Sequence, residues 1–214
     1  MTTSKKAISV YIVGYAPKYA QMFVNNGWFV VDRLEEADIM LLTGGPDINP
    51  KLYGEDPHPL TRYVTNVDDR ELKAVSGCTI PIVGICRGAQ LLNCLAGGSM
   101  YQHVDGHNNG HHPMSILEGK RANTRIEVSS THHQMMIPGP GASVLACAEI
   151  STVRDTVVEG EVQTLFRGAE KDPEVLLYPK EKFLCYQPHP ELFDTKHLCQ
   201  IYFLELVEAL LNEN

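Results

Sequence analysis

Ile80-Pro81-Ile82-Val83-Gly84-Ile85-Cys86-Arg87-Gly88-Ala89-Gln90-Leu91-Leu92-Asn93-Cys94-Leu95-Ala96-Gly97 changes its hydrophobic period in the middle. The first six residues are largely β-branched or apolar and read as a buried strand; apolar residues then recur at 91, 92, 95 and 96, the spacing of a helix. Cys86 falls on the junction, with Gly84 and Gly88 two residues to either side. A sharp strand-to-helix turn holds a side chain in a strained, exposed position, and flanking glycines remove the Cβ atoms that would clash there. The helix N-terminus supplies unpaired N–H groups and partial positive charge, which favour a thiolate and can hold a developing oxyanion. The bland reading is a small core cysteine. The paired glycines argue against it.

A nucleophilic thiolate needs a base, and the base needs orienting. Phe183-Leu184-Cys185-Tyr186-Gln187-Pro188-His189-Pro190-Glu191 follows a short apolar strand with a segment stiffened by two prolines. In extended backbone, side chains at i and i+2 project to one side, so Glu191 can hold one imidazole nitrogen of His189 while the other faces Cys86. Nucleophile, base and orienting acid then form a triad.

Gly84–Gln90 together with Gln187–Glu191 resembles the class I glutamine amidotransferase superfamily, whose Cys-His-Glu triad hydrolyses γ-glutamyl amides. Thr43-Gly-Gly-Pro-Asp-Ile-Asn-Pro-Lys-Leu-Tyr-Gly-Glu55 and Ser130-Thr-His-His-Gln134 are similar to the branch containing gamma-glutamyl-gamma-aminobutyrate hydrolase, as is arginine directly after the nucleophile. The likeness runs from about residue 7 to 210. Pro188 departs from the aromatic or apolar residue usual there, and the chain is shorter than most hydrolases of that branch, which suggests trimmed recognition loops. The resemblance implies an oxyanion hole formed by the N–H groups of Gly45 and Arg87, on a Gly44–Gly45 turn whose backbone can approach a ligand closely. It implies substrate contacts from Gly44, from Gln90 one helical turn beyond Cys86, and from Ser130 with His132 or His133. Period-2 counting places His132 on the side of Ser130 and Gln134.

The implied fold class is α/β: a mostly parallel sheet with helices on both faces, flavodoxin-like, carrying extra strands in the second half. Strands are expected at 8–13, 28–31, 39–42 and 80–85 and helices at about 18–26, 67–76 and 87–96; alternation of this kind implies a parallel sheet. Further strands are read at 126–129, 144–147, 156–159, 163–166, 175–178 and 183–187. A final helix over 195–211 carries an apolar stripe at 198, 201, 202, 206, 209 and 210. One domain over residues 1–214 suits this length and buries roughly 70% of the surface of the unfolded chain.

Net charge is −8, and Lys and Arg form no clustered stripe, which argues against nucleic acid or an acidic membrane surface as partner. Six cysteines show no framework spacing and no C-x-x-C pair, so they read as reduced thiols. Met1–Lys6 leads directly into a strand with no apolar leader, and no run of eighteen apolar residues occurs; a cytoplasmic enzyme is expected. The stretch 102–112 holds His103, His107, His111 and His112 with Asp105. Without i, i+4 helical spacing, and with Asn and Gly abundant, it reads as a mobile loop over the site and not as a metal centre. The loop 47–62 reads as a substrate-facing lid, and Asp68-Asp69-Arg70-Glu71 as acids favouring a helix start.

The expected reaction is hydrolysis of a γ-glutamyl amide through a glutamyl thioester, with no metal or cofactor. Two alternatives stand beside it: a glutaminase subunit passing ammonia to a synthetase partner, and a non-catalytic binding module that keeps the fold.

Overall fold

The computed structural model describes residues 7–166 and 171–212. Met1–Lys6, on which the expectation of a missing leader partly rested, lie outside them. In chain order the elements are β1 (Ser9–Ile12), α1 (Pro17–Asn25), β2 (Phe29–Val31), β3 (Ile39–Leu42), α2 (Thr65–Val75), β4 (Ile82–Ile85), α3 (Arg87–Leu95), β5 (Ser99–Tyr101), β6 (His103–Val104), β7 (Gly110–Ile116), β8 (Arg125–Ser130), β9 (Met135–Ile137), β10 (Ser143–Ala148), β11 (Val153–Val158), β12 (Glu161–Phe166), β13 (Asp172–Tyr178), β14 (Phe183–Tyr186) and α4 (Leu198–Asn212).

Nine strands form one sheet in the order β2-β1-β3-β4-β14-β13-β10-β7-β8. From β2 to β14 the neighbours run parallel. From β14 to β8 they run antiparallel. The central strands β3 and β4 are buried along their whole length, on both faces, because helices cover both. Ile39 and Leu41 join the core beneath α1 and α4, with Phe23, Tyr202 and Phe203. Met40 and Leu42 join the opposite core beneath α2 and α3, with Leu91 and Leu92. Burying a side chain of this size contributes about 1.5–3 kcal/mol before entropy is counted.

Two expectations are corrected. The stretch 102–112 is not a mobile loop: it contains β6 and the start of β7, which pairs with β8 and β10 inside the main sheet, and His107 and His112 are buried. Its Gly, Asn and His content reads as loop because β-propensity mostly reports packing, which a single sequence does not display. The final helix starts at Leu198 and buries Cys199, Tyr202, Phe203, Val207 and Leu210, one position on from the expected stripe. Eleven of the fifteen residues of that helix are apolar, on every side of it, so composition leaves its rotational phase undetermined.

Candidate active site

Cys86 sits at φ 51° and ψ −109°, a conformation that residues bearing a Cβ rarely adopt. Close packing holds it there. The Cys86 N–H donates to the Tyr186 carbonyl at 2.9 Å, and the Gly88 N–H donates to the Thr43 carbonyl at 3.1 Å. A Cβ on Gly84 would lie 2.3 Å from the Gly88 carbonyl carbon, and one on Gly88 would lie 2.5 Å from the Leu42 oxygen. The glycines therefore let α3 press onto β4 and β3, and the turn between them has nowhere to relax. The sulfur-bearing residue is only 6% exposed, so a substrate must present a slender end to it.

β14 lies parallel to β4 with Tyr186 opposite Ile85, so both chains leave the sheet at the same edge. That register brings His189 to Cys86, close enough for the sulfur to act on the charge of the imidazole. On the other edge of the ring Nδ1 lies 2.7 Å from Glu191 Oε1. Burial opposes a charged imidazole, but Cys86 and Glu191 outweigh it and hold His189 up to about 10. The Ser129 hydroxyl accepts from the His189 N–H at 2.7 Å and fixes its backbone. Gly44 packs flat on the ring: a Cβ there would stand 2.5 Å from Cε1.

Two contributors escaped the sequence reading. Ser129, not its neighbour Ser130, carries the bond to His189; Ser130 is fully buried. Tyr19, from α1, places its hydroxyl 3.3 Å from His189 Nδ1 and accepts from the Gly44 N–H at 3.0 Å. Nothing in the local pattern of α1 marks this tyrosine, because its role depends on how that helix docks.

Arg87 takes the first position of α3, so its N–H has no intrahelical acceptor and points from the positive helix end. Its side chain goes elsewhere. The buried guanidinium ion-pairs with Asp68 and Glu71, two α2 residues on one helical face. These acids are thus not merely favourable first-turn charges: they clamp the residue after Cys86. Burial raises both carboxyls above their ordinary values, with Arg87 pulling the other way.

Gln90 is 3% exposed, and its amide donates to Gln187 Oε1 at 3.2 Å, tying α3 to the segment that carries His189. Of the two histidines left open, His133 faces the glycine loop, with Nε2 3.1 Å from Asp47 Oδ2. His132 turns into the protein, its Nδ1 3.0 Å from the Gln134 carbonyl and its ring centroid 4.7 Å from that of His107. Burial pushes His132 down to about 4. The loop 47–62 is pinned mid-span, where the buried Gln102 side chain accepts from the His58 N–H at 2.8 Å and donates to Glu55 at 2.9 Å.

The peptidase C26 family model matches residues 24–164 of this sequence. The chain belongs to the peptidase C26 family. It is 45% identical over 71 residues to the glutamine amidotransferase-like YvdE homolog of Lactococcus lactis subsp. cremoris, a match covering 31% of this chain and 38% of that one. It is 27% identical over 133 residues to the carbamoyl phosphate synthase small chain of Oryza sativa subsp. japonica, covering 62% of this chain and 26% of the other. The chain thus spans less than two-fifths of the length of either relative. Among solved structures, a glutamine amidotransferase of Thermotoga maritima superposes with a TM-score of 0.59 at 16% identity, over 98% of this chain and 86% of that one. The architecture of this C26 member is accordingly the α/β fold of class I glutamine amidotransferases. Among the described residues no helix is long and apolar enough to cross a membrane.

Proposed function

We propose that this C26 protein hydrolyses a γ-glutamyl amide, glutamine or a γ-glutamyl amine, through a thioester on Cys86. The observation that carries the reading is the succession from Cys86 through His189 to Glu191, set beside the Arg87 N–H at the start of α3, which has no intrahelical acceptor. Cys86 sulfur attacks the γ-carbonyl carbon, and the carbonyl electron pair moves onto oxygen against the N–H groups of Gly45 and Arg87. The tetrahedral species collapses, the C–N bond breaks, and His189 gives its proton to the leaving amine. Water then yields a proton to His189 and attacks the thioester; the C–S bond breaks and glutamate leaves. Glu191 keeps the imidazole oriented throughout, and Tyr19 and Ser129 fix its position. The similarity to carbamoyl phosphate synthase small chains favours one alternative, a glutaminase subunit that hands ammonia to a synthetase.

Assay of the isolated chain separates the two: rapid unaided release of an amine supports the hydrolase, and glutaminase turnover only with a synthetase partner supports the subunit. A glutamine-mimicking electrophile should label the wild type and not Cys86→Ser; no labelling of the wild type overturns both. The pH profile supplies a second check. His189 must carry the proton it gives to the amine, so kcat/KM is expected to fall as pH rises through about 10. Glu191→Gln removes an influence that raises His189, so the alkaline limb should move toward neutral pH. An unmoved limb would detach Glu191 from the imidazole.

A further inference from the structure

We propose that His107, His112, His132 and Glu174 form a buried site for a divalent transition metal, zinc by ligand chemistry, which braces the segments that hold His189. The four residues come from the β6–β7 connection, β7, the β8–β9 connection and β13. One ligand atom from each can be chosen so that all four lie within 4.8 Å of one another. Glu174 Oε1 is 3.4 Å from His107 Nδ1 and 3.2 Å from His112 Nε2. A tetrahedron with metal–ligand arms of about 2.0–2.1 Å has edges of about 3.3 Å, so these two spacings already fit and the others require modest contraction.

An independent observation points the same way. Apart from the contacts of Glu174 Oε1 with the two rings just given, His107 Nδ1, His112 Nε2, His132 Nε2 and both oxygens of Glu174 have no hydrogen-bond partner among the described residues, and each residue is more than nine-tenths buried. Buried polar atoms left in this state are costly, and here five belong to the four residues of one cluster. The opposite ring nitrogens are all engaged. His112 Nδ1 lies 3.2 Å from the Pro113 carbonyl, and His132 Nδ1 lies 3.0 Å from that of Gln134. A carbonyl can only accept, so both Nδ1 atoms carry the hydrogen and each Nε2 of the neutral ring presents a lone pair inward. His107 Nε2 lies 3.2 Å from Asp172 Oδ2, leaving its Nδ1 lone pair inward. Asp172 is itself fixed by the N–H groups of Ile150 and Ser151 and by Arg154. Imidazoles oriented by carbonyls and a carboxylate on their outer nitrogens are what a metal's outer shell requires.

Three imidazoles and one carboxylate suit zinc over magnesium or calcium, which take oxygen ligands. Four protein ligands with no open position make the site structural. Its reach extends to the nucleophile's base: the Gln187 N–H donates to the Glu174 carbonyl at 2.8 Å, and Ser129, three residues before His132, holds the His189 N–H. The competing occupant is a proton, giving a bare imidazolium–carboxylate cluster.

The test uses the full chain with any affinity tag removed, reconstituted with zinc and dialysed, with metal measured by elemental mass spectrometry. About one zinc per chain is expected, cobalt(II) should give the visible absorption of a tetrahedral site, and chelation should lower the melting temperature by several degrees. Glu174→Gln and His112→Ala should lose the metal, while His111→Ala, an exposed neighbour, and Cys86→Ser should keep it. Stoichiometry below about a tenth in the reconstituted wild type, with an unchanged melting temperature, overturns the proposal whether or not the variants fold. So does full retention by folded Glu174→Gln and His112→Ala, which would put the metal elsewhere.

Discussion

Replacing Cys86 with glycine is expected to abolish turnover and raise the melting temperature together, whereas Cys86→Ala abolishes turnover alone. Loss of the sulfur removes the atom on which the proposed thioester would form, and knocking out the nucleophile of a triad typically costs about 10⁴-fold or more. The stability difference comes from the backbone. At φ 51° and ψ −109°, alanine retains the clash of its Cβ while glycine has none. Strain of this kind is worth about 1–3 kcal/mol, against about 0.5–1 kcal/mol for the extra freedom of glycine in the unfolded chain. A net gain of about 1 kcal/mol corresponds to about 2–4 °C for a chain of this size. Thermal unfolding of the two variants side by side reads it directly. If the glycine variant melts no higher than the alanine one, the turn stores no strain, and the sulfur is not held out by the backbone.

Much of this is legible in the sequence because it is local. The change of period at Cys86 marks a strand handing over to a helix, and the two glycines mark the backbone approach that the structure then shows at 2.3 and 2.5 Å. The continuous apolar run Ile39–Leu42 reads as a strand, and the structure buries it on both faces. What lies beyond reach is long-range. The pairing of Arg87 with Asp68 and Glu71 spans 19 and 16 residues, and Tyr19 reaches His189 across 170. The histidines of 102–112 mislead for the same reason. A search for helical i, i+4 spacing cannot find a cluster assembled from separate strands and connections, with Glu174 arriving from far down the chain. Even the side of His132 could not be used: period-2 counting places it with Ser130 and Gln134, yet that shared side is the protein interior.

The largest loss of stability is expected from Arg87→Leu. The guanidinium is the buried cation shared by two buried carboxylates, and removing it leaves both in a medium that penalises charge. Breaking such a pair from one side typically costs about 3–5 kcal/mol, here a fall of roughly 10 °C or more. The dependence on pH identifies the cause. Asp68 and Glu71 are already raised by burial with Arg87 opposing, so its removal raises them further. A carboxyl whose folded value lies above its unfolded one binds more protons folded than unfolded between the two values, so stability drops as pH rises through that window. The deficit of Arg87→Leu should therefore be small near pH 4 and grow toward neutrality, until the carboxyls are ionised in the folded state too. Adding Asp68→Asn and Glu71→Gln to Arg87→Leu removes the orphaned charges and should restore most of the loss at pH 7. A deficit that stays constant from pH 4 to 8, or that the triple variant does not recover, would mean that packing of the arginine stem, and not its charge, holds α2 against the Cys86 turn.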